Sequence, residues 1–128
     1  FVPKSKVDHV VTTTFAPQDP PAGYIAHLGG DIALQPGAFR ANVRQVNTLR
    51  PFVVDMAQLY PQITIPLEFI HGTADTVVPI HVHAAELVKI APTANLVRLD
   101  GIGHQPHHSR QPEAIAAIDR AAARAGLR

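Results

Sequence analysis

Apolar residues recur at helical spacing in the first sixty positions of the chain. Steps of three and four residues, which mark one face of a helix, connect Tyr24, Ile25, Leu28 and Ile32, and then Phe39, Val43 and Val46. We predict two amphipathic helices separated by Gln35-Pro36-Gly37, and a third, short helix from about Pro51 to Leu59. Prolines before residue 62 favour short helices, because each ring removes a backbone donor. This part is therefore predicted to be a small, broken helical layer.

The pattern changes between Pro61 and Pro66. The predicted elements that follow are a strand at Leu67 to Ile70, a helix at about His81 to Ile90, a strand at Asn95 to Leu99, and a last helix. That helix begins near Pro112 and packs Ile115, Ile118 and several alanines inward. This order of strand and helix is typical of an open, parallel α/β sheet. We therefore predict an α/β fold class and divide the chain at residues 1–60 and 61–128.

Composition excludes several classes of protein. Lys and Arg number 11 against 10 Asp and Glu, so no basic surface predicts nucleic-acid binding. No apolar run approaches the roughly 20 residues of a membrane-spanning helix. The chain has no cysteine, which excludes disulfides and fits a cytoplasmic protein. No motif indicates a cofactor, since Gly29-Gly30-Asp31 lacks the preceding strand of a phosphate-binding loop.

Two residues with acid-base chemistry follow the two predicted strands. Asp75 lies on the loop after the first strand, and His104 lies on the loop after the second. The carboxyl ends of parallel strands share one edge of a sheet, where ligands commonly bind. A catalytic histidine needs a carboxylate on one ring nitrogen, so that the other nitrogen can accept a proton. Asp75 and His104 are therefore the candidate catalytic residues, and His71 is expected nearby.

The motifs around these two residues resemble a known family. Gly72-x-x-Asp75-x-x-Val78-Pro79, followed after one helix and one strand by Gly101-x-Gly103-His104, resembles the last third of the α/β-hydrolases. That resemblance implies Asp75 as the acid and His104 as the base of a catalytic triad. It also implies an incomplete α/β-hydrolase fold, in which residues 61–128 form the last strands and helices of the sheet. Residues 1–60 would then belong to a helical lid.

The nucleophile of such a triad is absent from the sequence. The family's Gly-x-Ser-x-Gly turn does not occur, and the only serines, Ser5 and Ser109, lack flanking glycines. Two parallel strands also need further structure to cover both faces of a sheet. We therefore expect an amino-terminal segment or partner chain that carries the nucleophile. The predicted function is hydrolysis of a small ester or related acyl substrate by the complete assembly.

Further residues are assigned to substrate binding or excluded from metal binding. An apolar pocket would be shaped by Tyr24, Phe39, Phe52 and Met56, with His107 at its entrance. No metal site is predicted, because residues two apart, such as His81 and His83, do not share a helix face. Two alternatives stay open: a dehalogenase or epoxide hydrolase with an aspartate nucleophile, and a non-catalytic binding module on a hydrolase-like scaffold.

Overall fold

The computed structural model describes residues 4–29 and 35–127. In chain order the elements are helix α1 (Lys4–Phe15), helix α2 (Tyr24–His27), helix α3 (Pro36–Ala57), a 3-10 turn (Tyr60–Gln62), strand β1 (Leu67–Gly72), helix α4 (Ala84–Ile90), strand β2 (Ala94–Leu99), helix α5 (Pro106–Ser109) and helix α6 (Gln111–Arg124). Mixed helices with a small parallel sheet confirm the α/β class at this level.

The sheet consists of β1 and β2, which pair in parallel from Leu67 opposite Ala94 to Gly72 opposite Leu99. Helix α4 connects the two strands and contacts β2, whereas α6 contacts β1. Both predicted strands are confirmed, with β1 extended by two residues and β2 by one. Because the strands are parallel, the loops that follow Gly72 and Leu99 emerge at the same edge of the sheet.

Helix α6 is held against the sheet by a charged cluster around Glu68 of β1. The Glu68 side chain is only 3% exposed. Its Oε2 accepts hydrogen bonds from Arg120 Nε at 3.0 Å and Asn95 Nδ2 at 2.8 Å, and its Oε1 accepts one from Arg124 Nη1 at 2.7 Å. A buried carboxylate is tolerated when several donors compensate for lost water. This cluster therefore fixes the helix on the strand.

The last helix packs inward through an alanine, as predicted, but the inward packing predicted for Ile115 and Ile118 was wrong. Ile115 and Ile118 of α6 are 59% and 65% exposed, and Ala117 is the buried residue of this helix instead. The helix turns its alanine and arginine side toward β1, because the carboxylate of Glu68 lies on that strand and needs charged partners. Two large apolar side chains are consequently left on the outer surface of α6.

Helix α3 corrects the prediction of two short helices around Pro51. It runs without a break through 22 residues, begins at Pro36, and contains Pro51 in its interior. Proline removes one internal hydrogen bond, yet the turns on either side of it keep theirs, so the helix continues. Pro36 and Gly37 lie in its first turn, where a missing donor costs little. Every residue of α3 except Ala57 is exposed.

Helix α1 was not anticipated from the sequence. Its carboxyl-terminal half is rich in β-branched residues, which have weak helix propensity. The hydroxyls of Thr12, Thr13 and Thr14 each donate to the carbonyl four residues earlier, at 2.7 to 2.9 Å. Val11 and Phe15 are buried on the other side. Tertiary packing of these two side chains therefore outweighs the unfavourable local propensity.

Two further boundaries differ from the sequence prediction. Helix α4 begins at Ala84 rather than near His81, because the carbonyl of Pro79 accepts the N–H groups of Val82 and His83 in a turn. Helix α2 ends at His27, and Ile32, with the predicted interruption at Gly30-Asp31, lies outside the described residues. Within residues 4–29 and 35–127, no helix combines the length and the apolar character needed to cross a membrane.

Candidate active site formed by Asp75 and His104

Asp75 is locked in the turn that follows β1. Its Oδ1 accepts hydrogen bonds from the backbone N–H groups of Val77 at 2.9 Å and Val78 at 2.8 Å. This arrangement, in which a carboxylate binds the backbone two and three residues onward, stabilises the turn without other elements. The whole Asp75 residue is buried. The turn therefore fixes the buried carboxylate through Oδ1 and leaves Oδ2 available for another hydrogen-bond donor.

The second oxygen of Asp75 meets the loop after β2. His104 Nδ1 lies 2.9 Å from Asp75 Oδ2. An ionised carboxylate only accepts hydrogen bonds, so Nδ1 carries the hydrogen and, in the neutral ring, Nε2 keeps a lone pair. The Asp75 side chain is 4% exposed and that of His104 is 30% exposed, so the ring spans from the interior to the surface. The pair can therefore move a proton at the surface.

The charge on Asp75 is retained despite its burial. Burial raises the pKa of Asp75, but the hydrogen bonds from Val78, His104 and Val77, together with the attraction of His104, outweigh it. The net result is a pKa below the ordinary value of an aspartate. Asp75 is consequently an anion at neutral pH, which is the state that orients a histidine and stabilises its cation.

The two loops are brought together by close backbone contacts. The carbonyl of Ile102 accepts the N–H of Ala74 at 2.9 Å. A side chain at Gly72 would overlap that same carbonyl oxygen, so only glycine permits this approach. Thr73 adds a second link, because its hydroxyl donates to Asp100 Oδ1 at 3.0 Å and accepts the N–H of Gly101 at 2.9 Å.

Gln18, on the segment after α1, is a site residue that the sequence analysis missed. Its Nε2 donates to the carbonyl of Gly101, and its Oε1 accepts the N–H of Gly103, both at 2.9 Å. A side chain at Gly103 would overlap the carbonyl of Ala16, so the two segments pack backbone against backbone. No local pattern marks Gln18, because its partners are more than eighty residues away. It clamps the loop directly before His104.

Two of the predicted substrate-binding residues lie in a ring cluster near this loop. The ring of Tyr24 packs edge-on against Phe15 at 4.9 Å and against His108 at 5.2 Å, and His108 lies 4.4 Å from His107. Partial removal of water lowers the pKa of His107, and the charges of His108 and His104 lower it further. His107 is therefore neutral near neutral pH.

The other three predicted substrate-binding residues lie on α3. Phe39, Phe52 and Met56 are all exposed. Among the described residues, no ring contact or hydrogen bond joins them to Asp75 or His104. Phe52 instead lines an open groove on α3 itself, together with Asn42, Gln45, Val46, Thr48 and Leu49. Their role in substrate binding stays a prediction.

His71 also contacts the buried carboxylate, with Nε2 3.2 Å from Asp75 Oδ2. From the sequence, His71 was expected near the site without an assigned role.

Across the described ranges, no group of three or more histidine, cysteine, aspartate or glutamate side chains could hold a metal ion. Comparison with known proteins found no family model that matches the chain and no curated protein with significant similarity to it.

Proposed function

We propose that this chain supplies the acid and the base of a hydrolytic active site of the α/β-hydrolase type. The observation that carries the proposal is the 2.9 Å hydrogen bond between His104 Nδ1 and Asp75 Oδ2. It joins a buried anion to a partly exposed imidazole, as a nucleophile–histidine–aspartate triad requires. The order of the two residues along the chain and their positions after parallel strands support the same assignment.

In the proposed reaction, His104 Nε2 accepts the proton of a nucleophilic hydroxyl while the oxygen of that hydroxyl attacks the acyl carbon of an ester. Asp75 stabilises the resulting imidazolium and keeps Nδ1–H directed inward. The proton then passes from Nε2 to the leaving alcohol as the ester C–O bond breaks. A water molecule, deprotonated by the same nitrogen, cleaves the acyl intermediate and restores the nucleophile.

The proposal assigns the nucleophile to a polypeptide segment outside these 128 residues. Ser109, at the end of α5, donates its Oγ–H to the carbonyl of Gln105, the residue before that helix, and Ser5 is exposed at the start of α1. Neither serine occupies the strand-to-helix turn that a nucleophile elbow requires. The exposed Ile115 and Ile118 on the outer surface of α6 support the need for added structure, because exposed apolar surface commonly marks a site covered by a partner.

The proposed substrate is a small ester or related acyl compound. Tyr24 and the neutral His107 lie near the base, where they would contact the acyl or alcohol group. Phe39, Phe52 and Met56 supply apolar surface on α3, which would face the substrate once the assembly is complete. Pocket walls that are mostly apolar, with a few polar groups, are typical of small-molecule sites.

The proposal is tested on the complete assembly, isolated from native cells through a tag on this chain. Intact mass identifies any second polypeptide, and a fluorophosphonate probe reports an activated serine. We expect labelling of a serine on the companion and ester hydrolysis that falls about 10⁴-fold or more in His104→Ala. The matched control is His83→Ala, since His83 is an exposed histidine in the turn before α4.

Other outcomes of this experiment are equally informative. Full activity in His104→Ala would reject the assignment of the base. An aspartate nucleophile, as in dehalogenases and epoxide hydrolases, would give no serine label but would take up ¹⁸O from labelled water during a single turnover. A folded assembly with neither label nor ¹⁸O uptake would reject catalysis and favour a binding module.

A further inference from the structure

His71 places a second imidazole against the carboxylate of the candidate site. It lies in β1, four residues before Asp75, and its side chain is 13% exposed. His71 Nε2 is 2.8 Å from the carbonyl oxygen of Val78 and 3.2 Å from Asp75 Oδ2. Because a carbonyl oxygen can only accept, Nε2 carries a hydrogen. This N–H group is therefore donated to the backbone of the turn, and the ring lies against the buried carboxylate.

His71 lies against a carboxylate that is hydrogen-bonded by the turn and by His104. Oδ1 accepts the two backbone N–H groups of Val77 and Val78, and Oδ2 faces His104 Nδ1 and His71 Nε2. Oδ1 is held by the turn itself. His71 Nε2 lies 3.2 Å from Oδ2, while its N–H is donated to the carbonyl of Val78.

His71 also links strand β1 to the far end of the turn that contains Asp75. Its ring is fixed by the strand on one side, and its N–H reaches Val78, the residue whose own N–H binds Oδ1. The strand, the turn and the carboxylate therefore form one hydrogen-bonded unit. Groups that position the hydrogen-bond partner of a functional histidine commonly help to fix the orientation of that histidine.

We infer that His71 is a positioning residue for Asp75. Its Nε2–H holds the carbonyl of Val78, and thereby the turn that fixes Asp75, so that Oδ2 stays where His104 Nδ1–H must donate and the base keeps the tautomer with Nε2 free. This inference rests on the proposed function, since it concerns how the same acid and base are held together. It requires a donor at the position of Nε2, rather than an imidazole as such. Glutamine can place its amide nitrogen there, whereas the shorter side chain of asparagine cannot reach it.

The test is the hydrogen-bonded Nδ1–H proton of His104, observed by NMR at low field in the chain of 128 residues. The signal is assigned by its loss in His104→Ala. We expect His71→Gln to keep this signal, and both His71→Asn and His71→Ala to lose it through faster exchange with water. His83→Ala, an exposed histidine elsewhere, should leave it unchanged. Circular dichroism and the amide spectrum establish that each variant is folded.

The outcomes separate this inference from the proposed function. A folded His71→Asn with the full His104 signal would overturn the positioning role, while leaving the acid-base pair intact. If His71→Ala fails to fold, the comparison between His71→Gln and His71→Asn still tests the positioning role of His71. Loss of the signal in both polar variants would also overturn the inference, because the donor would not be sufficient. Absence of the signal in the unmodified chain would instead overturn the pair itself.

Discussion

The side-chain oxygen of Gln18 accepts a hydrogen bond from the backbone N–H of Gly103 at 2.9 Å, directly before the histidine of the candidate site. The same amide donates to Gly101, so one side chain spans the loop that carries His104. The amino-terminal and carboxyl-terminal halves of the chain therefore meet at this loop. The proposed base is positioned by both halves, although both candidate catalytic residues come from the second.

Gln18→Ala should destabilise the chain by about 1–3 kcal/mol, because it leaves the N–H of the buried Gly103 without its acceptor. Gln18→Glu keeps the acceptor but places a negative charge against the carbonyl of Gly101, so it should be destabilising as well. Chemical denaturation measures both. Gln45→Ala on the exposed face of α3 is the control and should change stability by less than about 0.5 kcal/mol. Equal stability of the Gln18 and Gln45 variants would contradict the clamp.

Gly72→Ala should be strongly destabilising, at or above the upper end of the roughly 1–3 kcal/mol typical of overpacking, because the new methyl overlaps the Ile102 carbonyl oxygen. Backbone atoms cannot move aside as a flexible side chain can. Gly37→Ala in the first turn of α3 is the matched control, since nothing lies within 4 Å of its added methyl. That change should stabilise by up to about 1 kcal/mol. Thermal unfolding of the two variants should therefore shift in opposite directions.

Short-range patterns were sufficient to predict the two strands and the proximity of Asp75 and His104. Alternating and branched apolar residues marked both strands, and the parallel order then placed the loops of Asp75 and His104 at one edge. Their contact needs only that each residue follows its strand by a few positions. The candidate pair was therefore accessible from chain order and residue type.

Features that depend on distant partners were not accessible in this way. Gln18 is defined by two bonds to backbone groups more than eighty residues away, which no local motif encodes. The continuity of α3 through Pro51 overrides a local rule about proline. The outward direction of Ile115 follows from the charged partners that Glu68 draws to the other side of α6. In each case, tertiary context decided between locally reasonable choices.

The stability of the chain should fall on acidification in two pH ranges. His107 has a lowered pKa, so the unfolded chain takes up a proton first and stability declines below the ordinary histidine value of about 6.5. Burial raises the pKa of Asp75 and of Glu68, but hydrogen bonds and ion pairs lower both overall. Their contribution is complete above pH of about 4–5 and is lost as the pH falls further.

Unfolding free energies measured from pH 8 to pH 2 check this prediction. His107→Gln should reduce the pH dependence of the unfolding free energy in the upper pH range alone. Glu68→Gln should reduce that dependence in the lower pH range. A profile of His107→Gln that follows the unmodified chain between pH of about 7 and 5 would contradict the lowered pKa.

Arg124→Lys tests whether Arg124 stabilises the sheet at the end opposite the candidate site. The guanidinium donates to the Leu67 carbonyl at 3.1 Å, to Glu68 Oε1 at 2.7 Å and to the Thr93 carbonyl at 2.6 Å. It therefore joins the first residue of β1 to the residue preceding β2. Lysine carries its donors on one nitrogen and cannot reproduce this planar fork.

We expect Arg124→Lys to lose about 1–3 kcal/mol of unfolding free energy, because charge-assisted bonds to a nearly buried carboxylate are replaced by one ammonium contact. Arg50→Lys on exposed α3 is the control and should change stability by less than about 0.5 kcal/mol. The His104 Nδ1–H signal should persist in folded Arg124→Lys, since the site lies beyond Gly72 and Leu99 at the other end of both strands. Loss of that signal without loss of stability would show that the two ends are coupled through the strands.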